Sequence, residues 1–306
     1  MEEIKQTISQ YKPDLEDITV STYARRINTM IKKGMDFTYY EDTMQKIQDS
    51  YELKTTKSCI TAIVTFLKAT GGDPDLISKY STILLETGDN ITKQEQKNEP
   101  TEKEQDNFVT KKEIEDIISK LQVLIIKEKE VESNKRLFDL YQQYLVINLY
   151  HLIPPLRNDF VGVLVDNTAS ELMDDKFNYL HLGDKNLILN RYKTKKTYGK
   201  NNIIKLPPKL TALIRRWMRL RVTVFPELEY EKQLLVNQNL KPMTQVNLTQ
   251  FLNKIFKRKI SSTMLRKSYI SEKYPVVHTT EDMTKDAKSM QHSVSMQQTT
   301  YRKKKV

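Results

Sequence analysis

The sequence predicts a mainly α-helical protein in two parts: a small helical bundle in front, and a larger, mostly helical unit with a small antiparallel β-sheet behind. Three observations point there. Apolar residues recur at helical spacing through most of the chain, a polar stretch over residues 91–107 interrupts that pattern, and β-rich runs are confined to residues 179–206. The 306 residues suffice for two ordinary domains.

In residues 1–90, Tyr23, Ile27, Met30 and Ile31 share one helical face, with Ser21 as a candidate cap and Gly34 as a stop. A weaker helix is expected from Tyr40 to Tyr51. A clearer one runs from Thr55 to Ala69, with Ile60, Ile63, Val64 and Leu67 inward, and a further helix runs from Pro74 to about Leu85. Residues 87–107 hold a single aliphatic residue, Ile91, and cannot add much to a core, so residues 91–107 read as a linker. The second unit, 108–306, opens on Thr110-Lys-Lys-Glu113, a capping box ahead of Ile114, Ile117, Ile118 and Leu121. A long helix from about Lys135 to His151 ends at Pro154-Pro155. Short strands are expected at Tyr179–Leu182, Asn186–Tyr192 and Asn202–Leu206. Helices follow over Leu210–Val222, Val246–Phe256 and Ser261–Ile270.

Composition narrows the function. Net charge is +11, but it is unevenly spread: residues 1–107 carry 14 Lys and Arg against 19 Asp and Glu, whereas from Lys185 onward the count is 27 against 7. A field of that sign favours a polyanion, and nucleic acid is the commonest one met by a water-soluble chain. No apolar run approaches the roughly 20 residues of a membrane span, and the N-terminus lacks a signal-peptide pattern, so an intracellular, soluble protein is expected. The one cysteine, Cys59, sits in an apolar helical pattern and reads as core. Trp217, His151 and His181 read as structural for the same reason.

Four local features suit chemistry on a phosphate. Arg157 enters the otherwise apolar run Leu156–Val165, where it needs a carboxylate or an anion. Lys193-Thr-Lys-Lys-Thr-Tyr-Gly-Lys200 places four lysines at a hairpin, a pattern that also serves simply to protect an edge strand. Arg266 lies near the start of a well-capped helix, where anion donors gather. Finally, His292 precedes Tyr301 by nine residues, and Arg302-Lys-Lys-Lys305 follows at once.

In this order and spacing, the four pieces resemble the tyrosine recombinase (phage integrase) family, most of all the integrases of large eukaryotic DNA viruses and virophages. The resemblance spans about 108–306; residues 1–90 are similar only in layout to the family's helical, SAM-like core-binding domain. It implies the DNA breaking-rejoining fold and, as catalytic residues, Arg157, Lys193, Arg266, His292 and the nucleophile Tyr301, with Thr263 as a sixth in the usual histidine position. Lys195 and Lys196 are alternatives for the catalytic lysine. With Arg302, Lys303 and Lys304, they are also expected to contact DNA. The implied activity is site-specific cleavage and rejoining of double-stranded DNA through a 3′-phosphotyrosyl intermediate, by a homotetramer, with no cofactor and no metal. A directionality factor is a possible partner, and the host nucleus or a viral factory the implied location. A type IB topoisomerase-like relaxing enzyme and a catalytically silent DNA-binding protein stay open as alternatives. The sequence departs from the family pattern twice. Thr263 stands where histidine is usual, and Phe160 where an acid is usual, with Asp159 one place early.

Overall fold

The computed structural model describes residues 1–130, 134–166, 174–199, 201–229, 231–274 and 280–303. It is mainly helical, with a small mixed sheet, and divides into two compact units, Met1–Lys97 and Asn98–Val306.

The first unit is built from α1 (Glu2–Tyr11), α2 (Asp17–Lys32), α3 (Tyr40–Ser50), α4 (Leu53–Ala69) and α5 (Pro74–Gln96). Its core gathers Ile27 and Met30 of α2, Ile47 of α3, Cys59, Ile60 and Ile63 of α4 and Tyr80 of α5; Ile31, which helical spacing places on the same face as Ile27, is instead 48% exposed. Gly34 ends α2 at φ +72°, which lets the Met35 N–H reach back to the Met30 carbonyl at 3.1 Å. Asp73 caps α5 by accepting from the Asp75 N–H at 3.0 Å, with Pro74 at the first helical position. The helix then runs well past Leu85, to Gln96. Thr87-Gly88-Asp89-Asn90 is poor in helix formers, and only Lys93–Gln96 are good ones; the continuation is held by Thr87 and Ile91 turned inward and by Lys54 of α4, which pairs with Glu95 at 2.6 Å. Much of the low-aliphatic stretch is therefore ordered helix.

The second unit begins with α6 (Glu102–Asp106), closed by a capping box of Thr101 and Glu104. There follow α7 (Lys111–Glu130), α8 (Asn134–Leu152), β1 (Val163–Asp166), β2 (Asn178–His181), β3 (Asn186–Leu189), α9 (Lys195–Tyr198) and β4 (Asn202–Lys205). The chain continues with α10 (Pro208–Val224), α11 (Gln245–Phe256), α12 (Ser262–Lys273), α13 (Thr280–Ser289), α14 (Val294–Met296) and a π-helical turn, Gln297–Tyr301. Thr110 does accept from the Glu113 N–H at 3.1 Å, but the Glu113 carboxylate takes Arg258 at 2.6 and 2.9 Å, so only half of the expected capping box forms.

The sheet has the order β1-β2-β3-β4. Strands β2, β3 and β4 are antiparallel, with Ile188 facing both Tyr179 and Ile203, as expected. Strand β1, however, joins β2 in parallel, Val163 opposite Asn178, so the sheet is mixed rather than antiparallel. Apolar alternation specifies which face of a strand is buried and carries no information on its direction, which is why the sequence could not reveal this. On its other side β1 is covered by the segment 232–234, through Val165 N–H to Lys232 O at 2.7 Å and Leu234 N–H to Val163 O at 2.8 Å.

Trp217 is fully buried against Phe138, ring centroids 4.8 Å apart, and donates to the Leu234 carbonyl at 2.8 Å, a core residue as its spacing suggests. His181 is buried in β2. A separate small core of Ile270, Tyr274, Met283, Met290 and Tyr301 packs the tail onto α12. Asp286 strengthens that seam by accepting from Tyr274 Oη at 2.7 Å and pairing with Lys273 at 2.6 Å. No described helix is long and apolar enough to cross a membrane.

Candidate active site

One proline-forced break and one helix start bring the site together. Helix α8 ends before Pro154-Pro155, and the chain turns so that the Tyr150 hydroxyl donates to the Arg157 carbonyl at 3.1 Å. Phe160 is 1% exposed and packs edge-on against Tyr150, ring centroids 5.4 Å apart. That position is thus filled by core, and the acid stands at Asp159, whose Oδ2 accepts from the Arg157 backbone N–H at 3.2 Å. Burial raises the Asp159 carboxyl above its ordinary range, while Arg157 and Arg266 both oppose the rise.

The Arg157 guanidinium donates through Nη1 to the Gln291 carbonyl at 3.3 Å and through Nη2 to the Tyr301 hydroxyl at 3.4 Å, across 144 residues of sequence. Arg266 follows one turn after the Ser261 cap and is completely buried. It donates to the Pro155 carbonyl at 3.0 Å and to His292 Nδ1 at 2.6 Å, and its guanidinium carbon lies 4.7 Å from the centre of the Tyr301 ring. Burial pulls this guanidinium below its ordinary pKa, and Tyr301 is the leading influence against that pull.

His292 is 2% exposed, its ring 4.8 Å from that of Tyr301. Burial first, and the Arg266 charge second, hold its pKa down at about 3, so the imidazole is neutral. Arg266 has only donors to offer. Nδ1 must therefore accept, and the ring proton sits on Nε2. That Nε2, like Arg266 Nε, is a buried polar atom without a hydrogen-bond partner among the described residues. The result is a pocket with two buried donors in reserve beside a phenol.

Tyr301 is itself 4% exposed. The π-helical turn delivers it, and Ser271 of α12 ties it down, donating to the Tyr301 carbonyl at 3.4 Å and accepting from the Lys303 N–H at 2.8 Å. Four of the six residues nominated from sequence as catalytic are thereby gathered: Arg157, Arg266, His292 and Tyr301. The fifth, Lys193, is exposed in the connection between β3 and β4, and its neighbour Thr194 donates to the same Gln291 carbonyl that takes Arg157, at 2.8 Å. Lys195 opens α9 and is half-buried; of Lys196 only the backbone is described. Thr263 lies in the first turn of α12 with an exposed side chain, three residues before the buried Arg266. Arg302 is half-buried, and Lys303 is 9% exposed, so these two do not continue as a run of exposed cations; Lys304 lies outside the described residues.

Sequence reading missed Thr194, Ser271, Gln291 and Gln297. Gln297 is fully buried, with both amide atoms unpartnered among the described residues. Its spacing four residues before Tyr301 was a usable signal, since it places the two on neighbouring helical turns. Nothing local marked the other three.

Neither a protein-family model nor a curated protein matches the chain. Among solved structures it is similar to XerA recombinase, at 10% sequence identity and a TM-score of 0.40, over 97% of this chain and 92% of that one.

Proposed function

We propose that the chain is a site-specific DNA recombinase that cleaves and rejoins double-stranded DNA through a 3′-phosphotyrosyl intermediate, with residues 108–306 as its catalytic domain, 91–107 as connector and 1–90 as a DNA-binding domain. The observation that carries this reading is the convergence of two guanidiniums and a neutral imidazole on one phenol, each from a different segment of the chain.

In this reading Tyr301 attacks phosphorus and stays attached, which conserves the energy of the phosphodiester for resealing. Negative charge grows on the non-bridging oxygens during attack. Arg157 and Arg266 meet it with fixed planar donors, and His292 adds its free Nε2–H. The phenol gives up its proton as it attacks, beside the Arg157 guanidinium. Threonine at 263 cannot take that proton at neutral pH, so it passes to water. Lys193 protonates the departing 5′-oxygen. Exchange between two duplexes requires four such sites, hence a homotetramer on DNA, and a directionality factor would act on that assembly.

The test uses a pool of nicked duplexes of randomised sequence, in which the cleaved fragment diffuses away and resealing fails. Wild-type protein is expected to form a covalent adduct that survives denaturation, with a free 5′-hydroxyl on the released fragment; Tyr301→Phe is expected to form none. An adduct persisting in Tyr301→Phe removes the assigned nucleophile, and no adduct with wild type removes the enzyme.

A further inference from the structure

A single backbone carbonyl, that of Gln291, joins the segment carrying Lys193 to the rest of the site. It accepts from the Thr194 hydroxyl at 2.8 Å and from Arg157 Nη1 at 3.3 Å. Gln291 adopts φ +60°, a left-handed conformation that is uncommon outside glycine and costs on the order of 1 kcal/mol or more. It is completely buried, and the next residue is His292. The turn is held from behind, since the Gln291 N–H reaches the Lys288 carbonyl at 3.2 Å and the His292 N–H the Ala287 carbonyl at 3.0 Å. A carbonyl fixed in this way is a stable anchor for whatever bonds to it.

What bonds to it from the other side needs an anchor. Lys193 is exposed, and the described residues between β3 and β4 hold little regular structure beyond the single turn of α9. A lysine on a connection of this kind has no geometry of its own, whereas a general acid must stand within hydrogen-bond reach of the leaving oxygen. Tyr192 donates to the Gly199 carbonyl at 2.7 Å, which closes the connection on itself but does not register it against the catalytic residues. Asn178 fixes the start of the connection, accepting from the Arg191 N–H at 2.7 Å and donating to the Arg191 carbonyl at 2.9 Å and to the Asp159 carbonyl at 3.2 Å; the Thr194 hydroxyl, one residue beyond Lys193, is the described side-chain contact that ties the lysine's own segment to the one carrying His292.

We propose that Thr194 is a positioning residue for the general acid: its hydrogen bond to the Gln291 carbonyl sets Lys193 in register with Arg157 and the Tyr301 nucleophile. The proposal rests on the recombinase reading above. In the step concerned, the Tyr301 Oη–P bond forms and the P–O5′ bond breaks. The bonding pair goes to O5′, and a proton passes from Lys193 Nζ to that oxygen; the neutral amine is reprotonated from water, and the phenolic proton is lost to water. The role of Thr194 is confined to the O5′ end of this exchange. Its removal should therefore slow only reactions that need a proton there.

A duplex recovered from the randomised pool supplies the substrate, in two versions: one with the natural 5′-oxygen at the cleaved bond, and one with a bridging 5′-sulfur, which leaves as thiolate and needs no proton. With the oxygen substrate, Thr194→Val, equal in shape but without the hydroxyl, is expected to cleave about 10- to 100-fold more slowly than wild type in single turnover. Thr194→Ser, which keeps the hydroxyl, is expected to stay within about threefold. With the sulfur substrate, Thr194→Val should recover to the wild-type rate, and Lys193→Ala should recover with it. A Thr194→Val rate equal to wild type on oxygen overturns the proposal, as does an equal defect on both substrates, which marks a structural loss. Failure of Lys193→Ala to recover on sulfur overturns instead the assignment of Lys193 as acid, and a wild-type protein without adduct overturns the recombinase reading and this proposal with it.

Discussion

Replacing His292 with glutamine removes a titration whose effect on stability follows from its burial. An unfolded histidine titrates near 6.5, whereas the buried His292 does so at about 3. Between those values the unfolded chain binds a proton that the folded chain does not, so folding stability is complete above pH 6.5 and falls as pH drops toward 3. From pH 7 to pH 5 this single group is expected to cost about 2 kcal/mol. Glutamine offers Arg266 a neutral acceptor at every pH and carries no such cost. The readout is built in, since the one tryptophan of the chain, Trp217, is fully buried in the core of the second unit and reports its unfolding by fluorescence. Urea midpoints measured at pH 7 and pH 5 should fall further for wild type than for His292→Gln, by about 0.7–1 M at an m-value of roughly 2–3 kcal/mol per molar. Other titrating groups are common to both proteins and cancel. Equal shifts in the two would refute a buried, neutral imidazole.

Two further substitutions probe the same pocket. Arg266→Lys keeps the charge but cannot hold the Pro155 carbonyl, His292 Nδ1 and the face of Tyr301 together, and single-turnover cleavage is expected to fall about 100-fold with little change in DNA affinity; an unchanged rate argues against a planar donor at that position. Thr263→His supplies a titratable group three residues before Arg266 and is expected to raise single-turnover cleavage about tenfold, whereas a drop to background would sink the idea that proton loss from Tyr301 is slow for want of a base.

Much of this protein can be read along its chain. Helix ends are local chemistry: the stops at Gly34 and Pro154-Pro155 and the Ser261 cap need only their immediate neighbours. The same holds for Trp217 and for Cys59, whose burial follows from apolar periodicity. Arg157, Arg266, His292 and Tyr301 are legible through their joint order and spacing, since an arginine near a helix start or a tyrosine ahead of a basic tail is commonplace taken singly.

Other features depend on partners distant in sequence, and no local pattern encodes a partner. The parallel entry of β1 depends on which edge of β2 is open, and the continuation of α5 to Gln96 on Lys54, Thr87 and Ile91 finding their places. The packing of Phe160 against Tyr150, and the approach of the Asp159 carboxylate to the Arg157 backbone, show only once the chain has turned after α8. The Lys303 backbone is tied to Ser271, and the residue is taken out of what reads as an exposed cationic tail. The sequence by itself determined the longer helices, the three antiparallel strands and a set of side chains suited to chemistry on a phosphate, because propensity, capping and charge are properties of short segments. Tertiary structure alone decided that Tyr301 lies between Arg157, Arg266 and His292, and that the left-handed turn at Gln291 presents one carbonyl to both Arg157 and Thr194, because the contacts of Arg157 with Tyr301 and Gln291 and of Thr194 with Gln291 close separations of 144, 134 and 97 residues, which only packing can bring together.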